Sequence, residues 1–292
     1  MKEFFMLVMN KPDNKPPFKW TGGKNRMWDA YSSIFWPNGK FDTFVDMFCG
    51  AGSVSMWVKK NYPDVKIVMN DTNTELTGMY KTIQNDYDAF EKEYVRLAEK
   101  FIPLDKPDRK KMYQGLMSDY CLCPENNSDT INNAHLYFML QTNFNGIWKG
   151  YIKWNRRYST PPGTLTMKAN FFELDRTRAF KQLLDSAVVS NVDFEQVSGD
   201  GKCYYYADPP YRDSFVNYDG GFLDDDQVRL VNFLKSKSDD GHFISESNKE
   251  IGDKFWENNF GDSYNINVVS AKYTAGRGKS VVNVSEVLVT NF

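Results

Sequence analysis

The sequence predicts an α/β protein in which a sheet flanked by helices is interrupted by a mainly helical insertion. Three observations support this fold class: short apolar, strand-like runs near both ends of the chain, a glycine turn and helix after the first run, and helical periodicity from about Glu75 to Asp185. We therefore expect a sheet domain formed by residues 1–80 and 187–292, with an inserted domain over 81–186.

The sheet domain opens with a predicted β-turn-α-β unit. A strand over 41–48 is followed by a turn at 49–52, a helix over 53–61 and a second strand over 65–69 that ends at Asn70-Asp71. A glycine turn lets a ligand approach the backbone, and an acidic residue about 20 residues later suits a ribose. Because the third glycine of the dinucleotide fingerprint is missing, the pattern favours a nucleoside cofactor without phosphates over a nicotinamide dinucleotide.

The remaining elements follow from apolar runs and capping residues. Strands are predicted at 187–190, 202–207, 242–245, 264–270 and 285–290. A helix over 227–237 is predicted after Asp224, Asp225 and Asp226, whose charges suit a helix N-terminus. Within the insertion, Tyr87 to Phe101 has helical periodicity.

The tetrapeptide Asp208-Pro209-Pro210-Tyr211 follows an aromatic-rich strand and is expected at the strand's carboxyl end, where open α/β sheets bind ligands. A ring amine is a poor nucleophile because its lone pair is delocalised, and two acceptors aimed at its hydrogens would localise that pair. Ionised Asp208 only accepts hydrogen bonds, the Pro209 carbonyl is a second acceptor, and Tyr211 offers a ring for stacking. We interpret the turn as a site for methylating an amine on a flat base; the alternative is a diproline turn that closes a strand.

Two acid-free segments carry most of the candidate contacts to nucleic acid. The first, Phe144 to Asn170, has the cations Lys149, Lys153, Arg156, Arg157 and Lys168. Its aromatic residues are Phe144, Trp148, Tyr151, Trp154 and Tyr158. The second, Ala271–Ser280, carries Arg277 and Lys279 between glycines. Cations contact phosphates and aromatic rings stack on bases; the alternative is a solvated basic face with its aromatic residues packed inward.

Composition excludes several other classes of protein. Hydrophobic content of 41% and charged content of 25% are those of a soluble globular protein. No apolar run approaches the ~20 residues of a membrane span, and the N-terminus lacks a signal-peptide layout, so we expect a cytoplasmic protein that does not bind membranes. The oligomeric state is open from the sequence, with a monomer as the default. The four cysteines form no Cys-x-x-Cys pair and the two histidines lie far from them, so no metal site is expected. A net charge of -2 argues against indiscriminate binding to polyanions.

Six segments resemble the Dam-like DNA adenine-N6 methyltransferases (D12 class, alpha group) of bacteria and their phages. In chain order they are FKWTGGK at 18–24, DMFCGAGS at 46–53, NDTN at 70–73, NFNGIWK at 143–149, NVDF at 191–194 and DPPY at 208–211. Thr21 replaces the family's usual alanine, and Lys149 lies near a position where arginine is often found. The order of the segments is that of the group whose target-recognition domain lies between the two halves of the sheet.

The resemblance implies a Rossmann-like class I S-adenosylmethionine-dependent methyltransferase sheet with an inserted target-recognition domain. It implies methylation of adenine N6, after the base has been flipped out of double-stranded DNA, with S-adenosylmethionine as methyl donor and no metal. The implied catalytic residues are Asp208, Pro209, Pro210 and Tyr211. The implied cofactor-binding residues are Trp20, Lys24, Phe48, Gly50, Gly52, Asp71 on the ribose, Asp193 on the adenine, Phe194 and Asp208. Together with the basic segments, it gives the expected DNA-binding residues Asn145, Lys149, Arg156, Arg157, Arg277 and Lys279.

Other functions remain open from the sequence. A cytosine-N4 methyltransferase would use the same cofactor and a similar tetrapeptide, because both targets are ring-conjugated amines. An RNA or protein methyltransferase, a nicotinamide oxidoreductase and a catalytically silent DNA-binding regulator on the same fold are the further alternatives. The recognition sequence depends on which side chains reach base edges and is not predicted.

Overall fold

The computed structural model describes residues 16–24, 27–122, 124–148, 150–153, 156–158, 160–167, 172, 174–213, 222–274 and 281–292. The strands are β1 (Thr43–Asp46), β2 (Lys66–Asn70), β3 (Gly150–Lys153), β4 (Arg156–Tyr158), β5 (Ala187–Ser190), β6 (Cys203–Ala207), β7 (Phe243–Lys249), β8 (Asn265–Thr274) and β9 (Val281–Thr290). The helices are α1 (Trp28–Tyr31), α2 (Ser53–Asn61), α3 (Thr74–Asn85), α4 (Tyr87–Phe101), α5 (Lys106–Leu122), α6 (Asp129–Thr142), α7 (Asp175–Asp185), α8 (Asp224–Asp239) and α9 (Phe255–Phe260).

Seven strands form one sheet in the order β5-β2-β1-β6-β7-β9-β8. Strands β5, β2, β1, β6 and β7 are parallel, whereas β9 is antiparallel to both of its neighbours. The carboxyl ends of the parallel strands therefore share one edge of the sheet. The strand order reverses between β1 and β6, and the crevice at such a reversal is where open α/β sheets bind ligands.

Both faces of the sheet are buried along its central strands β1, β2, β6 and β7. Along β6, Tyr204 and Tyr206 belong to one hydrophobic cluster with α2, α3 and α7, while Tyr205 belongs to a second cluster with α8 and α9. This alternation follows from the two-residue period of a strand. Parallel strands covered on both faces are expected to be almost wholly apolar, as β6 is.

Local sequence explains where the flanking helices begin. Helix α2 starts after Gly52, whose φ of +72° is favoured by glycine, and its residues Val54, Trp57 and Val58 are buried. Helix α8 starts with three aspartates, and the Leu223 N–H donates to the Asp226 carboxylate at 3.1 Å. The predicted helices 53–61 and 87–101 are confirmed as α2 and α4. The helix predicted at 227–237 is confirmed as α8, which is longer than predicted and spans Asp224–Asp239.

The segment between α3 and β5 contains α4, α5 and α6 and shares one hydrophobic cluster with the sheet. Tyr94, Tyr137 and Phe138 belong to the same cluster as Phe44 on β1. The predicted boundary at 80/81 falls inside α3, and the division into domains stays a prediction. The segment is mainly helical, as predicted, but it also contains a hairpin that the sequence did not predict, in which β3 and β4 pair antiparallel with Gly150 opposite Tyr158.

Several strands are longer than predicted. Strand β7 continues to Lys249 instead of Ser245, and β8 and β9 pair out to Thr274 opposite Val281. The first four residues of the predicted loop 271–280 are thus part of β8. No helix in the described part of the chain is long and apolar enough to cross a membrane.

Candidate active site

The tetrapeptide 208–211 directly follows β6, as predicted, and lies where the strand order reverses. The Asp208 carboxylate forms an ion pair with the Lys24 ammonium group and accepts a hydrogen bond from Ser247 Oγ at 3.0 Å. The Lys24 side chain is 2% exposed and that of Asp208 is 16% exposed. The N-terminal glycine-rich segment, β6 and β7 therefore meet at one buried carboxylate.

Burial raises the pKa of the Asp208 carboxyl, the charge and hydrogen bond of Lys24 lower it, and the negative charge of Glu286 raises it further. Asp46, at the end of β1, is fully buried and its pKa is raised to about 7, mainly by burial. Ser55 Oγ donates to Asp46 at 2.6 Å. Lys24 is thus the counterion that favours the ionised, acceptor-only form of Asp208 in a cluster of carboxyl groups.

The rest of the turn presents one ring and one unassigned carbonyl. The Lys24 Nζ atom lies 4.8 Å from the centroid of the half-buried Tyr211 ring. The Pro210 carbonyl accepts a hydrogen bond from Gln227 Nε2 at 2.9 Å. Because the Pro210 carbonyl is engaged with α8, the Pro209 carbonyl is the candidate second acceptor beside Asp208.

The turn after β1 requires glycine at two positions. Gly50 and Gly52 have φ angles of +47° and +72°, in the left-handed region. A Cβ at Gly50 would lie 3.0 Å from the Trp20 ring, and one at Gly52 would lie 2.8 Å from Met69 Cε. Trp20 and Gly50, both predicted to contact the cofactor, are therefore brought side by side.

Asp71 follows β2 and is bonded to the same turn. One of its carboxylate oxygens accepts the Gly50 N–H at 3.0 Å and the other accepts the Asn73 N–H at 2.9 Å. Burial raises the pKa of Asp71, and the two backbone hydrogen bonds lower it. The glycine turn and the acidic residue of the β-turn-α-β unit thus form one polar surface at the carboxyl edge.

Asn70 joins the loops after β1, β2 and β5, a role that sequence reasoning missed. Its buried amide donates to the carbonyls of Met47 and Val192, both at 3.1 Å, and accepts the Val192 N–H at 3.1 Å. The available signal was a polar residue at the end of an otherwise apolar strand. Ser247 was missed as well, because only the adjacency of β6 and β7 places it beside Asp208.

Phe48 and Phe194, which the resemblance placed at the cofactor, form an aromatic cluster with Phe222. Their ring centroids lie 5.8 Å apart, and Phe222 lies 5.7 Å from Phe48 and 5.9 Å from Phe194. Asp193 precedes Phe194, accepts the Glu195 N–H at 3.0 Å and forms an ion pair with Arg229 at 3.2 Å. A carboxylate next to an aromatic surface suits a purine, and Phe222 is a member that the sequence did not reveal.

Asn145 is exposed and lies in a turn that packs against the N-terminal segment. Asn145 and Gly146 have φ angles of +54° and +72°. A Cβ at Gly146 would lie 2.8 Å from the backbone of Lys19 and Trp20, so only glycine permits this approach. The turn is thereby held beside Trp20 and close to the glycine turn.

The other predicted DNA contacts are only partly described. Lys149, Arg277 and Lys279 lie outside the described residues, and the description of Arg156 and Arg157 stops at their backbone in β4. Trp148 differs from expectation: it is buried, and its indole N–H donates to Glu75 at 3.0 Å. Its ring packs inside the protein instead of facing outward for stacking. Among the described side chains, no group of three His, Cys, Asp or Glu residues could hold a metal ion.

The strand order, the glycine turn after β1 and the acidic residue after β2 define a class I S-adenosylmethionine-dependent methyltransferase fold. Comparison with known proteins narrows this class. The chain belongs to the D12 class N6 adenine-specific DNA methyltransferases, whose pattern it matches over residues 20–275. It is accordingly an enzyme that methylates adenine N6 in DNA, and the resemblance drawn from its motifs is confirmed. The family uses S-adenosylmethionine as methyl donor in general.

Three relatives match over 70% or more of their own length. The type II methyltransferase M.MjaIII of Methanocaldococcus jannaschii is 26% identical over 293 residues, covering 95% of this chain and 99% of that protein. The retron Ec67 DNA adenine methylase of Escherichia coli is 25% identical, over 92% of this chain and 90% of that protein. The DNA adenine methylase of Haemophilus influenzae is 24% identical, over 72% of this chain and 70% of that protein.

Proposed function

We propose that this enzyme binds S-adenosylmethionine in the crevice between β1 and β6 and methylates an adenine that it extrudes from double-stranded DNA. The observation that carries the proposal is the buried Asp208 carboxylate at the reversal of strand order, paired with Lys24 and adjacent to the Tyr211 ring. Extrusion is required because the target amine is not accessible to an active site while the base is stacked in the duplex.

The residues at the sheet edge fit the proposed cofactor. Gly50 and Gly52 give the turn after β1 its left-handed backbone, and Asp71 offers carboxylate oxygens to ribose hydroxyls. Asp193 beside Phe194 and Phe48 offers an acceptor and an aromatic surface to the adenine ring. Trp20 borders the glycine turn, and Lys24 pairs with Asp208. When bound, S-adenosylmethionine supplies an electrophilic methyl group on a positively charged sulfur.

The protein's contribution to the reaction is orientation and proton acceptance. Asp208 and the Pro209 carbonyl accept hydrogen bonds from the two N6 hydrogens, which favours the pyramidal amine with a localised lone pair, while Tyr211 stacks on the base. Alignment of this kind supplies effective molarities of ~10⁵ M or more. After transfer the N6 ammonium is strongly acidic, so Asp208 or solvent takes its excess proton.

We assign DNA recognition to the inserted domain, residues 81–186, together with the loop that follows β8. The support is the absence of Asp and Glu from 144–170 and from 271–280, and the exposed Asn145 held beside Trp20. In this proposal Asn145 and Lys149 contact the duplex near the extruded base. Arg156, Arg157, Arg277 and Lys279 contact phosphates.

Label transfer from methyl-labelled S-adenosylmethionine to duplex DNA, RNA and protein tests the proposal. We expect transfer to duplex DNA only, and single-molecule sequencing of DNA from expressing cells identifies the modified base and its flanking motif. The Asp208→Ala variant should transfer no methyl group, while its affinity for the cofactor, measured by calorimetry, should largely survive. Asp200→Ala is the matched control, because Asp200 precedes the same strand at the opposite edge and its side chain is 85% exposed. Near-normal turnover by the Asp208 variant would refute the catalytic assignment.

A further inference from the structure

We propose that Gln227 on α8 and Asn248 on β7 are positioning residues that set the geometry of the catalytic turn. Their side-chain amides hold both peptide groups that flank Tyr211. The inference rests on the proposed function, because it concerns how the turn is oriented to receive the base. Neither side chain is exposed, so both act through the turn and not by contact with DNA.

The contacts form a closed chain around the turn. Gln227 Nε2 donates to the Pro210 carbonyl at 2.9 Å, and Gln227 Oε1 accepts from Asn248 Nδ2 at 3.0 Å. Asn248 Oδ1 in turn accepts the backbone N–H of Arg212 at 3.1 Å. The peptide carbonyl before Tyr211 and the peptide N–H after it are thus tied to the same two amides.

Chemistry allows only one orientation of this chain. The Pro210 carbonyl can only accept and the Arg212 N–H can only donate. The Gln227 amide must therefore direct its NH₂ group to the Pro210 carbonyl and its oxygen to Asn248. The Asn248 amide must direct its NH₂ group to Gln227 and its oxygen to the Arg212 N–H. A hydrocarbon side chain at 227 or 248 would leave a buried backbone group without its partner, which the turn can relieve only by moving.

Arg212 is anchored by its side chain as well. Its guanidinium contacts the carboxylates of Asp224 at 3.1 Å and Asp253 at 2.7 Å, and lies 3.8 Å from the centroid of the Phe255 ring. The residue after Tyr211 is consequently held at both its backbone and its guanidinium.

The arrangement assigns different tasks to two neighbouring residues of β7. Successive side chains of a strand point to opposite faces, so Ser247 reaches Asp208 while Asn248 reaches Gln227 and Arg212. One face of β7 fixes the carboxylate of the tetrapeptide and the other fixes the backbone on either side of its aromatic residue. With the Pro210 carbonyl bound to Gln227, the Pro209 carbonyl is left to act beside Asp208.

The test compares Asn248→Ala and Gln227→Met with Asn291→Ala. Asn291 is the matched control because its amide also bridges two backbone groups, donating to the His242 carbonyl just before β7 at 2.8 Å and accepting the Ile244 N–H at 3.0 Å. These contacts of Asn291 lie at the start of β7, away from the turn, because Ile244 is about 13 Å from Asn248 along the strand. For each purified variant we would measure the thermal midpoint, cofactor affinity, kcat on duplex DNA and the fluorescence of 2-aminopurine at the target position.

We expect Asn248→Ala and Gln227→Met to lower kcat about tenfold to hundredfold, the effect of small displacements at a reacting centre. Cofactor affinity should stay unchanged, and the 2-aminopurine signal should fall because the Tyr211 ring is misplaced. Asn291→Ala should lower the thermal midpoint alone. Equal kcat values for the control and for either amide variant that folds would overturn the inference. A wild-type protein that labels no adenine in duplex DNA would instead refute the proposed function.

Discussion

Lys24 and Asp208 form a buried ion pair between two segments that lie 184 residues apart in the chain. Lys24 also lies over the ring of Tyr211, three residues beyond Asp208. One cation therefore neutralises the carboxylate that we propose to be catalytic and contacts the aromatic surface proposed to receive the base. Lys24 and Ser247 both bond to Oδ1 of the Asp208 carboxylate.

Replacing Lys24 with Met should move the acid limb of the pH profile of kcat/KM to higher pH. Burial raises the pKa of Asp208, Lys24 lowers it and Glu286 raises it, so loss of Lys24 raises it further. Ionised Asp208 only accepts hydrogen bonds, whereas the protonated form also donates one. As the pH falls, the variant should therefore lose activity at a higher pH than the wild type, and it should recover as the pH rises. Lys66→Met is the control, because the Lys66–Asp200 pair is largely exposed. A profile of unchanged position would show that Lys24 does not set the ionisation of Asp208.

Replacing Tyr211 with Ala should weaken stacking of the extruded base by about 1 to 3 kcal/mol, whereas Tyr211→Phe should keep most of it. The physical reason is that stacking requires the ring and not the hydroxyl. Fluorescence of 2-aminopurine at the target position measures the effect. An alanine variant whose signal matches that of the phenylalanine variant would argue against the stacking role.

The double change Arg156→Gln and Arg157→Gln should lower the slope of log affinity against log salt by about 2, since each phosphate contact contributes about 0.9. A charge-matched control is Lys66→Gln with Lys202→Gln, because both lysines are exposed and flank the amino ends of β2 and β6, opposite the catalytic edge. Fluorescence anisotropy with labelled duplex at several salt concentrations gives the slopes. Equal slopes for wild type and the arginine variant would mean that the interface lies elsewhere.

Replacing Glu246 with Gln should reduce the loss of stability that accompanies rising pH. Glu246 is fully buried on β7, and burial raises its pKa to about 8 from an ordinary value of 4.5. Between those values the folded protein retains a proton that the unfolded chain releases, so unfolding free energy falls with pH by up to about 1.4 kcal/mol per unit. The raised pKa of Asp46 also lowers stability as the pH rises, but this contribution is the same in the wild type and the variant and cancels in their comparison. Urea titrations from pH 5 to 8 measure the unfolding free energy of the wild type and of Glu246→Gln at each pH.

The exposed Glu99 supplies the control for that experiment as Glu99→Gln. Its stability should follow that of the wild type at each pH. If Glu246→Gln follows it too, the buried carboxyl group does not titrate between those limits.

Elements with strong periodicity or end signals were predictable from the sequence. The bounds of α2, α4 and β5 agree with expectation, because each has a clear apolar pattern bounded by turn residues or a helix cap. The hairpin β3–β4 was missed, because strands of four and three residues rich in cations and aromatic residues show no alternation that distinguishes them from a loop. Trp148 was misjudged for a similar reason: composition cannot tell a ring that packs on Tyr120 from one that faces outward.

The sequence by itself determined the class of chemistry, because the glycine turn, Asp71 and the tetrapeptide at 208–211 are local patterns with specific backbone and hydrogen-bonding properties. Only the tertiary structure decided which distant residues support them. Lys24 and Ser247 meet at Asp208, Asn70 joins three loops, and the amides of Gln227 and Asn248 hold the turn. These contacts depend on the strand order and on the alternation of side chains along β7. A linear pattern does not contain that information, since pairing between strands far apart in the chain is set by packing of the whole sheet.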